Sequence, residues 1–201
     1  MNLYQHDLPS DVIFESSVAI DTEAMGLKTG RDRLCVVQMC SAAGDVHIVQ
    51  IHKNGPEPEN LKKMLQNPSV LKIFHFARFD VTLLNYTFGI EVAPIYCTKI
   101  ASKLVRTYTD KHGLKNLVKD ILGIEISKQE QTSDWGREIL SKEQLHYAAG
   151  DVLYLHKLKD ELDKMLHREE KSDLAQQCFR GIELISRLEL AGYSPEELFQ
   201  H

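Results

Sequence analysis

Residues 34–51 constrain the fold of this chain most. Leu34-Cys35-Val36-Val37-Gln38-Met39-Cys40 and Val46-His47-Ile48-Val49-Gln50-Ile51 are apolar runs rich in β-branched residues, and Ala42-Ala43-Gly44-Asp45 between them has turn composition. Such a pair closes as an antiparallel hairpin. Residues 14–22, built around Val18-Ala19-Ile20, add a third strand and make a meander. The pattern then changes. Pro58-Glu59-Asn60 opens a short helix that runs through Leu65 and ends at Asn67-Pro68. A strand over 70–74, a helix over 79–88 and a short strand at Pro94-Ile95-Tyr96-Cys97 follow. The remainder is nearly all helical. Ser141-Lys142-Glu143-Gln144 is a capping box. It heads a helix with Leu145, Ala148, Val152, Leu155, Leu158 and Leu162 three or four residues apart. A second helix over about 173–190 carries Leu174, Cys178, Ile182, Ile185 and Leu188 on one side and stops at Gly192. Ser194-Pro195-Glu196-Glu197 caps a last short helix. The expectation is one α/β domain over 1–201: a mixed central sheet, antiparallel meander plus parallel strands, flanked by helices and followed by a helical C-terminal layer.

Charge narrows the function. Twenty-four Lys and Arg against 29 Asp and Glu leave 201 residues at −5, which excludes nucleic-acid binding through bulk positive charge but not a local basic patch. No secretory h-region and no run of ~20 apolar residues is present. The four cysteines lack paired CxxC spacing and the nine histidines lack HExxH, which argues against a structural zinc site. Without an export signal, the thiols are expected to be reduced and the chain cytoplasmic.

Three acidic groupings carry the chemistry. In Ile20-Asp21-Thr22-Glu23, positions i and i+2 of a strand share a face, so Asp21 and Glu23 stand side by side. Like charges that close repel unless a cation sits between them; taken alone, the pair is equally a solvated strand end. In Tyr147-Ala148-Ala149-Gly150-Asp151 the tyrosine and aspartate are one helical turn apart and share a face, in an otherwise apolar run; alone, that is also a core tyrosine beside a partly exposed aspartate. Asp80 follows the strand over 70–74 and by itself reads as a helix cap. Together they form a four-carboxylate set, an all-oxygen donor group suited to Mg²⁺ or Mn²⁺. Two such ions ~4 Å apart can clamp both oxygens of a phosphodiester exchange.

Asp21-Thr22-Glu23, Phe79-Asp80 and Tyr147-x-x-x-Asp151 resemble the three motifs of the DEDDy 3′–5′ exonucleases, the ribonuclease D-like family on a ribonuclease H-like fold. Gln131-Thr132-Ser133-Asp134-Trp135, continuing through Leu140-Ser141 to Tyr147 and Asp151, is very similar to the family's third motif. The likeness covers about 10–165, with C-terminal helices over about 166–201. The chain departs from the family at Glu138-Ile139-Leu140, where Arg-Pro-Leu is common. It departs again at His75-Phe76-Ala77-Arg78-Phe79-Asp80, which lacks a common Asn. The short form is most similar to the bacterial nanoRNase C group, and full-length ribonuclease D's C-terminal modules are not expected.

The resemblance implies a metal-dependent 3′–5′ exoribonuclease. It would trim short RNA, down to dinucleotides, to nucleoside 5′-monophosphates, as a homo-oligomer, ring-shaped in that group. It implies that Asp21 bridges two divalent cations and that Glu23 and Asp151 complete one site. Asp80 would serve the other, and Tyr147 would orient the attacking water. With an ordinary pKa of ~10, Tyr147 is a poor base at neutral pH. Met25, Gly26 and Leu27 would meet the terminal nucleotide, Leu27 as a wedge between the last two bases, and His75 and Phe76 belong to the same binding segment. Positive charge is concentrated in residues 99–119, where Lys99, Lys103, Arg106, Lys111, Lys115 and Lys119 face a single acid, Asp110. Arg106, Lys111 and His112 are the phosphate-contact candidates there, with Arg78 as another. A DNA-directed or dual exonuclease, or a catalytically inactive RNA-binding module, are the alternatives.

Overall fold

A computed structural model describes residues 1–126 and 133–200. Gln131 and Thr132 of the third-motif segment lie outside the described residues. Among the described residues the strands are β1 (Asn2–Gln5), β2 (Ser17–Ala24), β3 (Leu34–Ser41), β4 (Val46–Gln50), β5 (Leu71–Phe74) and β6 (Ile95–Cys97). The helices are α1 (Glu59–Gln66), α2 (Ala77–Phe88), α3 (Thr98–Val105), α4 (Leu114–Leu122), α5 (Lys142–Leu153), α6 (Leu155–Arg168), α7 (Ser172–Leu190) and α8 (Pro195–Leu198).

The strands form one mixed sheet in the order β1-β4-β3-β2-β5-β6. The meander expected from the sequence is its centre: β2 and β4 both pair antiparallel with β3. The other pairings, β1 with β4, β2 with β5 and β5 with β6, are parallel. Helices pack on both faces, so the central strands bury successive residues rather than alternate ones; Leu34 through Cys40 are all buried. α5 lies across β2, β3 and β4, while α7 runs along α2 and reaches β6. This is the expected mixed α/β architecture.

Three features differ from the sequence reading. β1 is an additional edge strand; its Asn2-Leu3-Tyr4-Gln5 is mostly exposed and carries no apolar period. The single helix expected from Lys142 to Leu162 is two, broken at Tyr154. α5 covers the meander and α6 packs on α3 and β5, so the break turns the chain between two partners. α7 is also rotated from the expected face. Its buried residues are Ala175, Phe179, Ile182 and Ser186, whereas Leu174 is 48% exposed. Phe179 sets this rotation by packing its ring 4.5 Å from that of Tyr96, and Ser186 Oγ accepts from Asn85 Nδ2 at 3.0 Å.

Candidate active site

β2 is longer than its parallel partner. Pairing with β5 stops at Ala19↔Ile73, while β2 continues to Ala24 and stays paired with β3. The overhang carries Asp21, Thr22 and Glu23, and α2 begins just beyond the end of β5. Asp80, in the first turn of α2, is buried there and accepts from Thr22 Oγ1 at 2.6 Å. From above, α5 brings Tyr147 and Asp151. Its start is fixed by the expected capping box: Ser141 Oγ accepts from Gln144 N, and Gln144 Oε1 accepts from Ser141 N. Asp21, Glu23 and Asp151 each offer an oxygen within 4.8 Å of the others.

Asp80 is one step removed from that cluster; Thr22 holds its Oδ1. Gln38, opposite Asp21 on β3, is fully buried and donates from Nε2 to Asp21 Oδ2 at 2.7 Å. Sequence reading passed over Gln38, although it is the one polar residue inside an otherwise apolar strand. Its Oε1 has no hydrogen-bond partner among the described residues.

Burial and crowding disfavour the charged forms. The Asp21 carboxyl lies well above the ordinary range, first through burial and then through the charges of Asp80, Asp151 and Glu23. Glu23 is pushed up to about 9 by burial and by Asp151 and Asp80. Burial raises Asp80 to about 7 against the opposing Thr22 bond, and Asp151 to about 6 against a bond from Tyr147. The Tyr147 hydroxyl is pushed well up by burial and then by the charges of Asp151 and Glu23, and so stays protonated at neutral pH. A divalent cation fits this donor set. When bound, it would supply the positive charge that the crowded carboxylates lack, beside a buried Gln38 oxygen left without a donor.

The carboxylates open into a cavity of about 840 Å³. Met25 and Leu27, 59% and 85% exposed, form an apolar rim beside them. His75 lines the cavity with its ring neutral, pushed down to about 3 by burial and then by the Lys99 charge; Nδ1 is 2.9 Å from Thr98 Oγ1. Phe76 caps α2 in the left-handed region at φ 69°, a strained state for a bulky residue, with the Lys99 ammonium 3.9 Å above its ring. Trp135 lines the same cavity, its ring 6.1 Å from that of Tyr147.

The side chains offered as phosphate-contact candidates lie in different places. The basic segment does reach the cavity, through Lys99 and Lys115. Arg106 does not: it is buried, donating to Asp120 at 2.5 Å and to the Lys111 carbonyl at 3.1 Å, and braces the chain between α3 and α4. Lys111 is exposed and lines no part of the cavity, and His112 is turned to Ser102 Oγ at 2.9 Å. Arg78 is held by Glu189 and Glu196, both at 2.5 Å. Linear charge density alone does not tell which side chains of this segment line the cavity.

A family model described as 3′–5′ exonuclease matches residues 4–167. The chain belongs to the 3′–5′ exonuclease family. It is 36% identical over 159 residues to ribonuclease D of Acidiphilium cryptum, covering 79% of this chain and 40% of that one. The chain thus spans about two fifths of the length of such curated relatives. Among solved structures, Brucella melitensis NrnC bound to pGG superposes with a TM-score of 0.94 at 46% identity, over 100% of this chain and 98% of that one. The same nuclease with bound Mg²⁺ gives 0.93 at 44%, with the same coverage. Escherichia coli ribonuclease D, an exoribonuclease involved in structured RNA processing, gives 0.75 at 25%, over 86% and 45%. The fold is therefore that of the ribonuclease D exonuclease domain, and the family is that of nuclease hydrolases.

Proposed function

We propose that this chain is a single-domain, metal-dependent 3′–5′ exoribonuclease that degrades short RNA, down to dinucleotides, to nucleoside 5′-monophosphates. The observation that carries this reading is the convergence of Asp21, Glu23 and Asp151 within 4.8 Å, beside Tyr147, at the floor of an open cavity. The likeness to a nuclease solved with Mg²⁺ and with pGG supports the cation and the substrate class.

Asp21, Glu23 and Asp151 would hold two divalent cations, Mg²⁺ or Mn²⁺, with Asp80 completing the set. When bound, such ions supply Lewis-acid polarisation of the phosphodiester and a lowered pKa for the attacking water. Gln38 donates to one Asp21 oxygen and so would orient the carboxylate that holds the ion. Tyr147 keeps its proton and orients the water rather than deprotonating it. Lys99 and Lys115 offset phosphate charge at the cavity wall, and Met25 and Leu27 offer apolar surface to the terminal base.

Four free thiols, three of them buried, suit a reducing cytoplasm. Among the described residues, no helix is long and apolar enough to cross a membrane. The exposed Leu174, Leu184 and Leu190 of α7 suit burial against further copies in a homo-oligomer, ring-shaped as in the nanoRNase C group.

A time course on 5′-phosphorylated RNAs of about two to twenty nucleotides, with matched DNAs, in Mg²⁺ or Mn²⁺, tests the reading. Fastest hydrolysis of the shortest RNA supports it. Preference for long RNA would remove the substrate class, and equal cleavage of DNA would make the enzyme dual.

A further inference from the structure

Asp80 reaches the carboxylate cluster from the first turn of α2, and that turn has no side-chain cap. Phe76 occupies the cap position and offers no acceptor to the free N–H groups that follow it. On the inner side, Thr22 is the described side chain that bonds Asp80. What else fixes the turn lies on the opposite side, where α2 packs on α7.

That contact is a polar seam. Arg78, Thr82 and Asn85 are four and three residues apart and share one face of α2. Asp80 lies two residues from both Arg78 and Thr82, roughly 200° around the helix from them, and so faces the other way. Glu189 of α7 bridges the seam. Its Oε1 accepts from Arg78 Nε at 2.7 Å and its Oε2 from Thr82 Oγ1 at 2.9 Å, so one carboxylate grips α2 on both sides of Asp80. One turn along, Ser186 Oγ takes Asn85 Nδ2, whose Oδ1 in turn accepts from Val92 N at 2.9 Å. Thr82, Asn85 and Ser186 are all buried. Any slip or rotation of α2 would leave buried polar groups unpaired, a cost that a purely apolar seam would not impose. Glu196 also binds Arg78, but from the short α8 and with its side chain 58% exposed.

We infer that Glu189 is a positioning residue for Asp80: by gripping α2 on either side of it, α7 sets how far the Asp80 carboxylate reaches toward Asp21 and Glu23. This rests on the metal-dependent reading above, in which Asp80 completes the metal set. Ser186 and Glu189 lie beyond residue 167, where the exonuclease match stops. Part of the scaffold of the metal set therefore comes from outside the matched segment.

The test is isothermal titration of Mn²⁺ into the metal-free protein, with the melting temperature measured alongside. The proteins are the wild type, Glu189→Ala, Glu189→Gln and Thr82→Val, each with Asp80 intact and with Asp80→Asn. Glu189→Ala removes both bonds and should weaken Mn²⁺ binding roughly tenfold, the lower end of the loss when a group that orients a metal ligand is removed. Glu189→Gln should recover most of that affinity, because its oxygen can accept from Arg78 while its amide donates to the Thr82 hydroxyl. Thr82→Val keeps the shape and loses one bond, so its effect should be smaller and in the same direction. With Asp80→Asn in place, none of the three should weaken Mn²⁺ binding further. A Glu189→Ala protein that melts lower but binds Mn²⁺ like the wild type would overturn the inference, as would an equal loss in the Asp80→Asn background. If Glu189→Ala does not fold, Thr82→Val decides by the same two criteria. Asp80→Asn binding Mn²⁺ like the wild type would remove Asp80 from the metal set and Glu189 from its role, leaving Asp21, Glu23 and Asp151. A wild type that binds no Mn²⁺ would remove the metal-dependent reading itself.

Discussion

Gln38 reaches Asp21 from the middle of a strand whose neighbours are all apolar, and a fully buried amide there is costly unless its contacts serve the site. Gln38→Leu keeps the packing and removes the donor. It should weaken Mn²⁺ binding by roughly 10- to 100-fold, the effect of losing a group that orients a metal ligand, as read by isothermal titration calorimetry. Unchanged Mn²⁺ affinity would make Gln38 structural only. Tyr147→Phe should lower kcat by about 100-fold with KM nearly unchanged, because the hydroxyl orients water rather than binding RNA. The carboxylates predict a pH effect on stability. Folded pKa values of about 9 for Glu23, about 7 for Asp80 and about 6 for Asp151 all lie above those of the unfolded chain. The folded state therefore binds more protons through this window, so stability falls as pH rises from the ordinary carboxylate range towards 9. In EDTA the melting temperature should decline across that range, and Mg²⁺ should flatten the decline; a flat profile in EDTA would contradict it. Spacing made much of this site legible, i to i+2 for Asp21 and Glu23, i to i+4 for Tyr147 and Asp151. Arg106 shows where spacing stops informing: its partner Asp120 is fourteen residues on, and only the fold makes the arginine a buried brace.

The start of α5 sets the height of Tyr147 and Asp151 above β2, and Ser141 sets that start. Ser141→Ala removes one half of the capping box and should destabilise the protein by about 1 kcal/mol in urea denaturation. A smaller fractional loss of activity should accompany it, since the helix frays at the end away from Asp151. The Ser141 box and the β2–β4 meander were legible because their signals are local. The break at Tyr154 was not, because no Pro or Gly marks it; it arises where α5 and α6 meet different partners. The face of α7 was hidden for the opposite reason. Apolar residues occur around much of the helix, and Phe179 against Tyr96 together with Asn85 to Ser186 decide which stripe goes in. The long overhang of β2 past β5, which gives the carboxylates their open setting, depends on strand register and has no trace in either strand's composition.

At the scale of the molecule, a chain of net charge −5 gathers carboxylates at the floor of its main cavity and brings only Lys99 and Lys115 of its basic segment to that cavity's wall. In the proposed reaction the cation, and not bulk surface charge, brings phosphate to that floor, so substrate binding should depend on the cation more than on surface lysines. The exposed leucines of α7 predict assembly: light scattering should give a mass several times 23.0 kDa, and a monomer would remove the oligomer from the proposal. The cation-dependent cluster itself is tested most directly by the products formed from a 5′-labelled RNA dinucleotide in Mg²⁺, with wild type and with Asp21→Asn. The expected result is complete conversion to mononucleotides by the wild type and none by the variant, with both melting as folded proteins. Hydrolysis by a folded Asp21→Asn at near-wild-type rate would contradict it.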